Sequence, residues 1–369
     1  MKNIKVYLQR PWKFADSPYY QYLLGNPPKG ITYIGQNQKK GTYSNRWKFI
    51  FLRETKFLIR RIFRIVPIPF PNAHLTKSKE KYDLIHCAHC LSLNNRPWIT
   101  DTEWVGQFWL AANHEKHPNR RIVKKILMND NCKKILAWTE WSKKGILKEF
   151  PEVKDKVELI YPGIPVQKMK KNKTDKVRLL FGSRAFYFKG GLYALEVIDR
   201  MTKKYDNVEG IIISDVPAKV VKKYSKNKKI KFHNLIPQKK FFKEIYPNTD
   251  ILIYPSFTDT FGFHMTEAMS FGIPVVTASG TSRKEIVRNG KTGFVIESGI
   301  GESLPKGFLE NLERYGKIID RMCLKVSKLI EDKDLRERMS KAAYEEISIG
   351  RFSIKKMQEK LIKVYRESI

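Results

Sequence analysis

The run Asp250-Ile-Leu-Ile-Tyr-Pro-Ser256, followed by Asp259-Thr-Phe-Gly-Phe-His-Met-Thr-Glu267-Ala-Met-Ser-Phe-Gly-Ile-Pro-Val-Val276, decides the architecture. A short apolar stretch stopped by Pro255 reads as a buried strand, because proline cannot donate to a strand ladder. Phe257 to Thr260 are then the loop at that strand's carboxyl end, and Thr266 to Ser270 continue as a helix. Gly272-Ile-Pro274 turns the chain into a second, β-branched strand. Strand, loop, helix and strand in one short segment predict a parallel α/β sheet, whose ligands bind at the carboxyl ends of the strands. Two carboxylates, Asp259 and Glu267, fall at that end. The first helical turn there points amide donors at the loop, which favours a phosphate or sugar oxygen.

This run resembles the group 1 glycosyltransferases (glycosyltransferase family 4). Their motif is an acid, seven residues and a Glu, with Phe-Gly after the first acid and Gly-x-Pro-Val after the second. Phe261, Gly262, Glu267, Ala268, Gly272, Pro274 and Val275 match it, and Asp259 stands where Glu is usual, shorter by one methylene. The likeness extends to Arg184 and Lys189 in Leu-Leu-Phe-Gly-Ser-Arg-Ala-Phe-Tyr-Phe-Lys-Gly-Gly, and to 279–287 and 289–295. It is close from Arg178 onward and loose over the first half.

The resemblance implies a GT-B fold, two Rossmann-like doubly wound parallel-sheet domains facing a cleft, and transfer of a sugar from a nucleotide diphosphate sugar with retention. Arg184 and Lys189 would hold the donor diphosphate, where fixed cations stabilise charge on the departing nucleotide. Gly190 would let the backbone approach that charge. Glu267 would accept from the ribose hydroxyls and Asp259 would contact the transferred sugar as the catalytic acid group, beside Phe261 and Gly262 of the motif. Leu235 and Ile236 are the candidates for flanking the base, in preference to His233. No metal or cofactor is implied, because the two cations take a metal's electrostatic part; the nucleotide diphosphate sugar is a substrate.

The first half departs from the family. The Gly-Gly expected after the first strand is replaced by Trp12-Lys-Phe-Ala-Asp-Ser-Pro-Tyr-Tyr20, where Asp16 or Ser17 can cap a helix opening at Pro18. In Arg96-Pro-Trp-Ile-Thr-Asp-Thr-Glu-Trp104 a strand that often ends in His carries Asp101 and Glu103 instead. Strand alternation puts both acids on one side, which makes them the candidates for acceptor contact. His86, in a Asp-x-x-His strand, is commonly structural.

A chain of 369 residues accommodates two α/β domains. Strands are expected at 4–8, 31–34, 84–86, 98–100, 135–138 and 157–160, then at 177–181, 210–214, 230–232, 250–254, 274–277 and 293–296. Tyr161-Pro-Gly-Ile-Pro165 and the basic stretch at 168–176 read as the linker. The acceptor-side domain is therefore 1–165, joined by the carboxyl-terminal helix 352–369 packing back on it. The nucleotide-sugar domain is 166–351.

The chain carries 71 Lys+Arg against 37 Asp+Glu, a net charge of +34, with 42% hydrophobic residues and a mean hydropathy of −0.45. No apolar run reaches bilayer-spanning length, and the charged amino-terminal strand lacks a signal-peptide core. The expected location is cytoplasmic, peripheral on the inner face of the cell membrane. Four scattered cysteines do not build a disulfide framework. Cys87-x-x-Cys90, interleaved with His86 and His89, offers zinc-ligand residue types, but no second ligand pair follows. Residues 46–66 place Arg53, Lys56, Arg60 and Arg64 on one helical stripe and Phe51, Leu58, Ile62 and Ile65 on another, the pattern of a core helix or of one lying on an anionic membrane. On the second, the helix would bring a lipid-linked or lipid acceptor to the site, and the family resemblance implies a glycan or lipid-linked acceptor in cell-envelope or glycolipid and polysaccharide synthesis. The competing functions are a basic nucleic-acid-binding protein, which lacks any recognition motif and so predicts no specific nucleic acid, and a noncatalytic GT-B partner.

Overall fold

The computed structural model describes residues 3–11, 17–35, 70–110, 120–167, 174–256, 259–298 and 316–369, and positions 51, 54, 55 and 58 besides. Residues 12–16 and 168–173, and the basic stripe Arg53, Lys56, Arg60 and Arg64 with Ile62 and Ile65, lie outside the described residues. The chain divides into two compact units, Met1–Gly163 with Ile354–Ile369, and Ile164–Ser353.

The first unit is built on six parallel strands: β1 (Ile4–Gln9), β2 (Ile31–Ile34), β4 (Leu84–Ala88), β6 (Trp98–Thr102), β7 (Cys132–Ala137) and β8 (Val157–Leu159). Their order is β2-β1-β4-β6-β7-β8. Leu84–Ala88 and Trp98–Thr102 are buried along their whole length, as strands covered on both faces must be. A two-stranded pair, β3 (Ala73–His74) with β5 (Leu91–Ser92), stands apart. It escapes sequence reading because two residues carry no periodicity. Helix α1 (Pro18–Gly25) opens with Ser17 accepting from the Tyr19 amide and proline in its first turn. Its buried tyrosines, Tyr19 and Tyr20, are held against Trp138. Helices α2 (Arg120–Met128) and α3 (Glu140–Glu149) follow β6 and β7. The carboxyl-terminal helix Ile354–Glu367 buries Met357, Leu361, Val364 and Tyr365, one stripe at helical spacing.

The second unit repeats the plan with β9 (Val177–Gly182), β10 (Val208–Ile213), β11 (Ile230–His233), β12 (Ile251–Tyr254), β13 (Val275–Ala278) and β14 (Gly293–Ile296), ordered β11-β10-β9-β12-β13-β14 and parallel throughout. Helices α4 (Gly191–Lys204), α5 (Ala218–Tyr224), α6 (Phe263–Met269), α7 (Arg283–Ile286), α8 (Gly316–Glu331) and α9 (Lys333–Ser348) connect and cover them. Helix α6 starts three residues earlier than the sequence predicts. Gly262, at φ 80°, makes the left-handed turn that launches it directly from the loop.

Both sheets reverse their strand order. In the first, the chain moves from β1 to one side and then, with β4, to the other. In the second, β10 and β11 lie on one side of β9 and β12 to β14 on the other. Each reversal opens a crevice at the carboxyl ends of the two strands that flank it.

Candidate functional site

In the second unit the crevice lies between β9 and β12. Beyond Gly182 the chain runs through Arg184, which is exposed, to Lys189 and Gly190, and then enters α4. Gly190 sits at φ 72°, and a Cβ there would lie 2.4 Å from the Pro255 carbonyl oxygen. That close approach brings the loop after β9 against the end of β12, and Lys189 Nζ reaches Asp259 Oδ1 at 2.6 Å. Burial alone would raise the Asp259 carboxyl's pKa. The Lys189 ammonium, hydrogen bonds from Lys189 and Ser256 and the charge of Arg283 outweigh it and hold the group below the usual range. Tyr254, at the end of β12, is pushed well up by burial and by the Asp259 charge, with Arg184 and Arg283 opposing. Arg184, Lys189 and Asp259 therefore share one electrostatic neighbourhood.

The backbone of Asp259 is braced from β13. Thr281, at φ 38°, donates its hydroxyl to the Asp259 carbonyl, and Ser282 Oγ donates to that of Thr260 at 2.5 Å. Arg283 is 1% exposed. Its guanidinium donates to the carbonyls of Ala278 (2.9 Å), Ser279 (3.2 Å) and Asp259 (3.4 Å) and to Thr281 Oγ1 (2.9 Å). Burial lowers its pKa to about 10, against the pull of Asp259 and Tyr254. Sequence reading noted the segment but not the arginine's role, since nothing in its spacing tells that the side chain turns inward.

Phe261 is buried against Phe263 and Phe352 and supports the loop from below. Glu267, two turns along the loop and α6, is nearly buried yet aims at polar groups: Gln238 Nε2 donates to Oε1 at 2.8 Å and Tyr246 Oη to Oε2 at 3.3 Å. Leu235 and Ile236 are half-buried in the stretch between β11 and Gln238, so the same segment that carries them also meets Glu267. His233 is exposed.

In the first unit the crevice between β1 and β4 holds a buried polar cluster. Asp101 has no exposed surface. It accepts from Tyr20 Oη at 2.5 Å, from the His89 amide at 3.3 Å, and pairs with His86 Nε2 at 3.0 Å. His86 Nδ1 in turn meets Tyr365 Oη at 2.8 Å, which joins Tyr33 at 2.9 Å. This corrects the expectation that Asp101 contacts an acceptor: its carboxylate is spent on Tyr20 of α1, on His86 of β4 and on the His89 amide, and His86 carries the network on to Tyr365 of the carboxyl-terminal helix. Glu103 does lie on the same side and is partly exposed, 3.5 Å from His89 Nε2, whose Nδ1 is 3.4 Å from Asp101. His89, at φ 53° just past β4 and packed on Trp138, is the residue that sequence reading passed over, having weighed it only beside Cys87 and Cys90. Those two cysteines are fully buried in the apolar core with Ile85, Leu91 and Trp98. Among the described residues no group of three or more His, Cys, Asp or Glu is gathered as a metal site.

Residues 165–346 match the family described as glycosyl transferases group 1. That segment belongs to the group 1 glycosyltransferases. An uncharacterized glycosyltransferase of Haemophilus influenzae is 27% identical over 223 residues, 58% of this chain and 63% of the relative, so the match spans less than two thirds of that protein. The capsular polysaccharide biosynthesis glycosyltransferase CapM of Staphylococcus aureus is 27% identical over 120 residues, 32% of this chain and 27% of CapM. Among solved structures, Anabaena HepE in complex with UDP-glucose superposes with a TM-score of 0.61 at 13% identity, covering 98% of this chain and 99% of that one. The fold is GT-B.

Proposed function

We propose that this chain is a retaining glycosyltransferase that moves a hexosyl group from a nucleoside diphosphate sugar to a glycan or lipid-linked acceptor in cell-envelope or polysaccharide synthesis. The observation that carries the reading is the Lys189–Asp259 pair at 2.6 Å, beside Arg184 at the switch point of the second sheet. Bound diphosphate competes with Asp259 for Lys189. Arg184 and Lys189 then neutralise the departing nucleotide without a metal, and Asp259, released from the pair, faces the transferred sugar. Glu267, pre-oriented by Gln238 and Tyr246, takes the ribose hydroxyls, with Leu235 and Ile236 along the base. HepE is solved in complex with UDP-glucose, and CapM is a capsular polysaccharide biosynthesis glycosyltransferase; both support the reaction class for this chain. The acceptor side rests on the first unit, where Glu103 is partly exposed beside the buried Asp101.

The test is calorimetric titration of a panel of nucleoside diphosphates, followed by transfer or donor hydrolysis with the matching sugar nucleotide in the presence of a chelator. Lys189→Ala is expected to weaken nucleoside diphosphate binding by about 1.5–3 kcal/mol, the worth of a charged hydrogen bond. Glu267→Gln should weaken the nucleoside as well as the diphosphate. Binding of no nucleotide by the native protein sinks the reading.

A further inference from the structure

Arg283, which opens α7, is buried where a bound ligand cannot touch it, and the backbone around it is shaped to take its guanidinium. Gly280 runs at φ 133°, and a Cβ there would lie 2.1 Å from Arg283 Nη2. Thr281, a β-branched residue held in the left-handed region at φ 38°, is strained. Its hydroxyl accepts from Arg283 Nη1 at 2.9 Å and donates to the Asp259 carbonyl. All four bonds of the guanidinium go to neutral oxygens, those of Ala278, Ser279, Asp259 and Thr281. A full charge is costly to desolvate, and bracing carbonyls alone would not offset it.

The carboxylate on which that charge acts is Asp259. Burial works against the charge of both groups, and each charge favours the other. Asp259 therefore has two cations on different footings. Lys189 Nζ, 2.6 Å from Oδ1, ends a flexible side chain that is 21% exposed, so a diphosphate can draw it off. Arg283 is fixed by its four bonds on the buried side and stays.

Resting on the donor-site reading above, we propose that Arg283 is a positioning residue for Asp259: its fixed charge and its bonds to the Asp259 carbonyl and Thr281 keep the carboxylate ionised and in place once a donor diphosphate takes Lys189. Without Arg283, the buried carboxylate that Lys189 leaves behind gains a proton. The other titratable groups around Asp259 are Arg184 on the loop after β9, Tyr254 on β12 and His264 on α6. Arg184 is exposed and, like Lys189, is taken up by the diphosphate. Burial and the Asp259 charge push the Tyr254 hydroxyl well up, and burial lowers His264 to about 4 against the pull of Asp259. Both are neutral near pH 6, and neither replaces the lost cation.

The experiment reads proton linkage and needs no turnover. UDP, or the diphosphate of whichever base the native protein binds, is titrated into the full chain near pH 6 in buffers of different ionisation enthalpy. Arg283→Gln should take up protons on binding that the native protein does not. Asp259 in that variant holds its proton more tightly in the complex than in the free protein, so affinity rises as the pH falls. The ratio of native to variant affinity should drop about tenfold from about pH 7.5 to about pH 5, the effect of one unit of carboxylate pKa. The same substitution made in an Asp259→Asn chain should show no extra uptake. Lys189→Ala imitates the drawn-off state with Arg283 untouched: in protein labelled with carbon-13 at the aspartate carboxyls, Asp259 should stay ionised near pH 6. A protonated Asp259 in Lys189→Ala, a folded Arg283→Gln without extra proton uptake, or extra uptake that survives Asp259→Asn would overturn the proposal. A native protein that binds no nucleoside diphosphate overturns the donor-site reading instead, and this assignment falls with it.

Discussion

At the scale of single residues, burial separates acids that look equivalent in the sequence. Asp101 is wired to three side chains and a backbone amide with no surface of its own, whereas Glu103, two positions on, is partly exposed. Asp101→Ala should therefore cost about 3–5 kcal/mol of stability, the penalty of breaking a buried charged network by removing one member. Glu103→Gln should leave the melting temperature within a degree or two while slowing transfer, and a reversed order in thermal melts and kinetics would refute the division. Asp259 offers a pH test. Its pKa is depressed in the folded state, so its ionised form is favoured by folding. The stabilisation is present above the unfolded carboxylate value, about 3.9, and is lost as the pH falls through the lower folded value. Asp259→Asn should be less stable than the native chain at pH 7, and the gap should narrow below about pH 4. Urea midpoints at pH 7 and pH 3 measure this; an unchanged gap contradicts it.

At the scale of elements, the loop after β9 depends on a glycine for space as much as for backbone angle. Gly190 and Gly290 both adopt left-handed angles, φ 72° and 77°. A Cβ on Gly290 meets nothing within 4 Å, whereas on Gly190 it strikes the Pro255 carbonyl oxygen at 2.4 Å. Gly290→Ala should thus cost only the left-handed penalty, about 1–2 kcal/mol. Gly190→Ala should cost more and also weaken nucleotide binding, because the loop must lift away from β12 and carry Lys189 from Asp259. Chemical unfolding and calorimetry of the two variants decide the point, and equal effects would show that the contact with Pro255 is unimportant. The helix after the loop teaches a related lesson. Thr266 marks the sequence-based start, yet Gly262 turns the chain early enough that Phe263 and His264 are already helical.

For the molecule as a whole, the net charge of +34 bears on the acceptor. Helix α2 leaves Arg121, Ile122, Lys125 and Met128 exposed, with Val123 and Leu127 buried beneath them. Basic residues interleaved with exposed apolar ones fit the surface of an anionic membrane, where each adds about 1 kcal/mol, and no helix among the described residues is long and apolar enough to cross one. Cosedimentation with anionic vesicles is expected, with little binding to neutral ones, and Arg121→Glu with Lys125→Glu should reduce it along with added salt. Equal binding to both vesicle types, or binding to neither, would remove a lipid-borne acceptor from the proposal. Retention on nucleic acid that salt abolishes would reflect charge alone.

What the sequence determined by itself is local. Every strand of the two large sheets lies where a short apolar run predicts it, with ends displaced by no more than three residues, because a strand covered by helices needs apolar residues on its buried faces whatever else surrounds it. The stretch from Asp250 to Val276 likewise marks a strand end, since Pro255, Gly262 and Pro274 constrain the backbone through their own geometry. Tertiary structure decided which side chains meet. Lys189 and Asp259 are 70 positions apart, His86 and Tyr365 are 279 apart, and the sequence between them carries no mark of either contact. Whether Asp101 is a core residue and whether Arg283 turns inward depend on neighbours brought in by other strands. Periodicity reports the face a residue occupies, and only packing reports what that face is pressed against.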